Sequence, residues 1–147
     1  MVKQQDNNIP WENIPPALHK RAKGNLMEDL AANYLQQHGL IILERNFTCR
    51  IGEIDIICQD QQNPNQQDLV FVEVRYRRTL AFGTPIESIN YKKQQKLHAV
   101  ATVYIQTRVT HRNNFDCSKL NYRFDVLGVT GNLAKPEIEW LRNVIFN

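Results

Sequence analysis

Two carboxylates interrupt segments of the chain that are otherwise apolar. Asp55 sits in Ile51-Gly52-Glu53-Ile54-Asp55-Ile56-Ile57, and Glu73 in Leu69-Val70-Phe71-Val72-Glu73-Val74-Arg75. Both segments have the β-branched and aromatic composition of core strands. A carboxylate in such a place costs free energy unless it is paired or binds a cation. A third acid, Glu28, lies at the edge of a helical apolar stripe, so it reaches the margin of a sheet, while Asp29 is expected on the opposite, solvent side. Acids from one helix and two strands, beside Arg75, suit a divalent cation that prefers oxygen ligands. Such an ion can polarise a phosphodiester and lower the pKa of a water. The same acids can equally be structural ion pairs with Arg45, Arg75 or Arg123, and residue types alone leave both readings open.

The elements that must position these groups follow from periodicity. A helix is expected from about Lys20 to His38, ended by Gly39, with Met27, Leu30, Ala31, Tyr34 and Leu35 on one stripe. Strands are expected at Leu40 to Thr48, Ile51 to Cys58, Leu69 to Tyr76, Tyr122 to Thr130 and Ile138 to Leu141, the first two forming a hairpin. Alternation puts Ile54 and Ile56 on one face and Glu53 and Asp55 on the other. It puts Val70, Val72 and Val74 opposite Leu69, Phe71, Glu73 and Arg75. Thr84-Pro85-Ile86-Glu87 has the form of a capping box, which predicts a second helix from there to about Ile105. Lys93 falls on its inward stripe with Ile89, Leu97 and Val100, either as an active-site cation or as a lysine covering apolar surface. Gln59 to Asp68 reads as a polar surface turn. The order is αβββαβ with a small C-terminal addition. Residues 1–18, with Pro10, Pro15 and Pro16, read as an extension to a single domain of residues 19–147.

The 147 residues, 42% of them hydrophobic, suffice for one core without disulfides. No apolar run reaches the roughly 20 residues of a membrane span, and residues 1–11 carry no secretory h-region, so no membrane association is expected. Cys49, Cys58 and Cys117 are widely spaced with no CxxC, which suggests free thiols in a reducing cytoplasm. Residues 75–112 hold eight basic side chains and one acid, so this window carries +7 while the remainder of the chain carries −4. That concentration suggests a face for a polyanion, with Arg77, Arg78, Lys92 and Lys96 as its members. Tyr76, among three arginines, is placed to stack on an unpaired base. Arg123 and Asp125 share a strand face and are expected to form an ion pair. Gly24 would allow a close approach one turn before Glu28, and Gly52 would relieve the hairpin geometry.

Five ordered blocks carry a resemblance: Gly24 to Ala32, Glu44 to Ile57, Val70 to Arg77, Phe82 to Leu97 and Arg123 to Val129. Together they resemble the YraN-type family of uncharacterised bacterial endonuclease-like proteins. That family lies within the PD-(D/E)xK restriction-endonuclease-like superfamily, among relatives of archaeal Holliday-junction resolvases. The resemblance implies an α/β fold with a restriction-endonuclease-like αβββαβ core, a mixed central sheet flanked by helices. It implies Glu28, Asp55 and Glu73 around Mg²⁺ or Mn²⁺, with the main-chain carbonyl of Val74 as a further ligand. It further implies cleavage of DNA phosphodiester bonds, branched or structured DNA among the substrates, and a homodimer. The chain departs from the motif at Arg75, where the superfamily has lysine. Arginine keeps its proton, so Arg75 can stabilise charge but cannot act as a base. Lys93 is the alternative lysine. Three functions therefore stand: a metal-dependent nuclease, a catalytically degenerate nucleic-acid-binding protein with a nuclease fold, and a partner-binding protein whose acids are merely ion-paired.

Overall fold

Gly39 ends the first helix, as its position predicts. It adopts φ +89°, a conformation that suits glycine, and its N–H donates to the Gln36 carbonyl at 3.1 Å. The computed structural model describes residues 16–65, 67–79, 81, 83–84, 86–109, 120–132 and 134–144. Helix α1 spans Pro16–Gln37, so the helix starts within the expected extension; residues 1–15 of that extension lie outside the described residues. Cys117 and Pro85 lie outside them as well.

Five strands follow the predicted order: β1 (Leu40–Thr48), β2 (Glu53–Asp60), β3 (Gln67–Arg77), β4 (Leu120–Thr130) and β5 (Glu137–Leu141). They form one sheet in the order β1-β2-β3-β4-β5. Only the central β3–β4 pair is parallel; its neighbours are antiparallel. A parallel pair requires a crossover, and helix α2 (Tyr91–Tyr104) supplies it. The protein is thus an α/β fold with a mixed five-stranded sheet and the αβββαβ order, extended by β5.

Each helix covers one face. Met27, Ala31 and Leu35 of α1 pack with Ile56, Cys58, Val70, Val72, Leu127 and Val129. Leu97, Val100, Ala101 and Tyr104 of α2 pack with Ile54, Ile57, Phe71, Phe124 and Val126 on the other side. The sheet is buried on both faces, which explains why its central strands read as nearly continuous apolar runs.

Two expectations are corrected by this arrangement. The capping box at Thr84 and Glu87 is real in one half, since Glu87 Oε2 accepts from the Thr84 N–H at 2.9 Å. It closes only a 3₁₀ turn, Ile86–Ser88; α2 begins later, capped by Asn90, whose Oδ1 accepts from the Lys93 N–H at 2.8 Å. In β2, Ile54 and Ile56 lie on opposite faces, with Ile54 toward α2 and Ile56 toward α1. The change of face coincides with the end of the β2–β3 ladder. The β2–β3 register runs from Asp60↔Asp68 to Ile56↔Val72 and stops there. The faces of β3 are as expected, with Val70 and Val72 toward α1 and Leu69 and Phe71 toward α2.

Candidate active site

The site begins where that ladder stops. Beyond Ile56 and Val72 the two strands part, and the Val74 N–H donates to Asp55 Oδ2 at 2.9 Å. A side-chain oxygen replaces a backbone carbonyl at the fork. Glu73, one residue earlier on β3, is buried, with 7% of its side chain exposed. Its Oε1 lies 3.2 Å from Arg75 Nη2 and 3.3 Å from Lys93 Nζ. Its Oε2 is buried and has no hydrogen-bond partner among the described residues. Lys93 thus turns to the acid rather than only covering apolar surface. The Asn90 cap fixes its backbone in the first turn of α2.

Burial, and after it the charge of Glu73, push the Asp55 carboxyl up from 3.8 to about 7. The Val74 N–H and the Lys93 charge pull it down, while Glu28 adds a smaller upward push. Of the five candidate side chains, Glu28, Glu73 and Lys93 therefore act electrostatically on Asp55. Together these acids exceed the charge that Lys93 supplies to Asp55.

Glu28 is held from β1. Asn46 Nδ2 donates to Glu28 Oε2 at 2.9 Å, and Arg45 Nη2 lies 3.6 Å from the same oxygen. Asp29 is exposed on the solvent side, as expected, and accepts from Arg45 Nη2 at 2.8 Å. Among the described residues no three carboxylate, histidine or cysteine side chains are gathered closely enough to hold a metal ion. The expected three-acid cluster is therefore not closed in this conformation. The donor chemistry still fits a hard divalent cation, because Glu73 carries a buried oxygen with no partner among the described residues and its charge acts on the Asp55 carboxyl.

Other sequence-derived candidates resolve differently. Arg123 forms a structural hub, 3.0 Å from Asp125 Oδ1, 3.1 Å from Asp60 Oδ2 and 3.6 Å from Asp68 Oδ2. Asp125 also accepts from Trp140 Nε1 and the Asn143 N–H, both at 2.9 Å, which satisfies this fully buried acid. Tyr76 is half-buried and donates to the Gly131 carbonyl at 2.8 Å, so it is a packing residue and not an open stacking platform. A Cβ on Gly24 would meet nothing within 4 Å, so that glycine marks no close approach. One on Gly52 would come within 3.4 Å of Val100 Cγ2, so there the helix and the hairpin do approach closely. Arg78, Lys92 and Lys96 are exposed and Arg77 is half-buried, with no ion pair to another described residue. Cys58 is buried, and its thiol is pushed up to about 12, which makes it inert.

Two site residues escape sequence reasoning, Asn46 and Asn90. A signal existed for each. Asparagine is disfavoured within a strand such as Leu40–Thr48, and Asn90 is a strong N-cap type seven residues before Leu97.

Fold and site together define an α/β protein with a half-buried and a buried acid, Asp55 and Glu73, at a strand fork, the second held under a lysine and an arginine. The profile of the uncharacterised protein family UPF0102 matches residues 27–129, and the chain belongs to that family. A UPF0102 protein of Nitrosococcus oceani is 45% identical over 130 residues, covering 88% of this chain and 95% of the relative. One from Photobacterium profundum is 39% identical over 131 residues (89% and 95%), and one from Desulforamulus reducens is 40% identical over 131 residues (88% and 99%). The matched stretch contains Glu28, Asp55, Glu73, Arg75 and Lys93. No helix among the described residues is long and apolar enough to cross a membrane.

Proposed function

We propose that this protein is a metal-dependent endonuclease of the PD-(D/E)xK type acting on DNA, with branched or otherwise structured DNA as the leading substrate class. The observation that carries the reading is the fork itself: Asp55 and Glu73 adjoin across parting strands, and Lys93 and Arg75 converge on one oxygen of Glu73. Asp55, Glu73 and the Val74 carbonyl would hold Mg²⁺ or Mn²⁺, with Glu28 completing the oxygen set. The chemistry supplied by such an ion is polarisation of the phosphodiester and acidification of the attacking water.

The chain's own side chains do the rest. Arg75 keeps its proton under all ordinary conditions, so its role is to stabilise charge on the scissile phosphate and not to take a proton. Lys93 supplies the lysine that the strand lacks, from the facing helix. Arg77, Arg78, Lys92 and Lys96 would bind flanking phosphates. The second reading, a nucleic-acid-binding protein that no longer cleaves, is favoured by a single observation: arginine stands at position 75 where the motif has lysine.

The test is single-turnover cleavage of single-stranded, duplex, flap and four-way-junction DNA with Mg²⁺ and with Mn²⁺. Wild type cleaves at least one substrate, Glu73→Gln abolishes cleavage, and Arg75→Lys retains or increases it. Arg75→Ala loses at least about tenfold, equivalent to ~1.4 kcal/mol of transition-state stabilisation. Binding without cleavage in wild type, together with cleavage by Arg75→Lys, would establish the degenerate binder instead. Equal rates for wild type and Arg75→Ala would transfer the charge-stabilising role to Lys93.

A further inference from the structure

Asn46 is one of two non-glycine residues with positive φ among the described residues, at +54°. Asparagine tolerates this left-handed region better than most residues, yet it is uncommon inside a strand, and the conformation costs free energy. Strained backbone of this kind persists where its surroundings hold it in place, often at functional sites. The β1–β2 register explains what the strain achieves. Arg45 pairs with Ile56 and Phe47 with Ile54, so Asn46 falls across from Asp55. From that place its Nδ2 reaches α1 and donates to Glu28 Oε2 at 2.9 Å.

We infer that Asn46 is a positioning residue that holds Glu28 of the helix on the Asp55 side of the sheet, from where it becomes the third oxygen donor when a divalent cation draws the acids together. The inference rests on the cation site proposed above. Three observations support it. Glu28 already acts on the Asp55 carboxyl, so the two are electrostatic neighbours. Arg45, the other group near Glu28, makes its closer contact with Asp29, at 2.8 Å against 3.6 Å, which leaves the asparagine amide as the shorter hold on Glu28. Both contacts fall on Oε2, which leaves Oε1 for a ligand. A residue serving only the backbone turn could be glycine, which occupies positive φ at no steric cost. A residue serving Glu28 must carry the amide. Hydrogen-bond partners of this kind orient a ligand carboxylate, and their loss commonly costs 10- to 100-fold in metal affinity.

The experiment is a Mn²⁺ titration of the full chain, with free Mn²⁺ read by electron paramagnetic resonance and Tm recorded for each variant. Wild type, Asn46→Gly, Glu28→Gln and the double variant form a cycle. Each single substitution should weaken Mn²⁺ binding about tenfold, while the double variant should bind no more weakly than Glu28→Gln alone, because the amide acts through that carboxylate. Asn46→Asp tolerates the same backbone but cannot donate when ionised, so it should reproduce Asn46→Gly if the glycine variant is poorly folded. Unchanged affinity in Asn46→Gly with weakened affinity in Glu28→Gln overturns the role of Asn46 and leaves the cation site standing. Equal losses from Asn46→Gly in both backgrounds also overturn it, since the effect would not pass through Glu28. Wild-type affinity in Glu28→Gln, or no Mn²⁺ uptake by wild type, removes the cation role of Glu28 and this inference with it.

Discussion

Asp55 is the residue at which folding and chemistry compete most directly. In an unfolded chain its carboxyl ionises near 3.8; in the folded protein burial and Glu73 raise it to about 7. Between those values the native state holds more protons at this site than the unfolded state. Ionising Asp55 therefore costs native stability progressively as pH rises from about 4 to about 7, with no further loss from this group beyond. Asp55→Asn keeps an acceptor for the Val74 N–H and removes the charge. The variant should gain more stability over wild type at pH 8 than at pH 4, measured by urea unfolding at both. An equal difference at the two pH values would show that Asp55 does not titrate in this window. An acid that destabilises the fold at neutral pH is better explained by a task than by packing.

At the scale of elements, α2 matters to the site through its first turn. Asn90 caps the helix by accepting from the backbone of the residue whose side chain reaches Glu73. Asn90→Ala should lower stability by about 1 kcal/mol in chemical denaturation, as loss of an N-cap usually does. A change below a few tenths of that would mean the turn is held by its packing alone. All five strands were legible from alternation and apolar runs, because a sheet buried on both faces leaves a strong pattern. The start of α2 was not, since Thr84 and Glu87 form the same local bond at a 3₁₀ turn as at a helix. Nor were the faces of β2, because alternation assumes a continuous ladder and this one stops at Ile56. The acids of the site could be named from their cost among apolar neighbours. The hold of Asn46 on Glu28 could not, since it joins residues 18 apart in sequence through a backbone angle that sequence does not display.

At the scale of the whole molecule, Arg78, Lys92 and Lys96 of the basic window are exposed. If these groups contact DNA phosphates, each contact releases counterions and steepens the dependence of affinity on salt. Replacing Lys92 and Lys96 together with glutamine should weaken binding irrespective of DNA sequence. It should also flatten the slope of log affinity against log salt by roughly 1 to 2. Fluorescence anisotropy across a salt series measures both quantities, and an unchanged slope would make this surface ordinary solvated charge. Lys92 and Lys96 lie on the helix that also carries Lys93, so one element would present phosphate contacts and the lysine that reaches Glu73 together.

The bond from the Val74 N–H to Asp55 Oδ2 bears on how relatives should be compared. It spans the gap that opens when two strands leave their ladder, so an acceptor at this position is wanted by the architecture even where no bond is ever cut. On the proposed reading, a relative that does not cleave would still be expected to keep aspartate or asparagine there, whereas no hydrogen bond among the described residues requires Oε2 of Glu73. Retention of an acceptor, aspartate or asparagine, at position 55 would thus mark shape, whereas on the proposed reading the fate of position 73 would mark whether a relative cleaves.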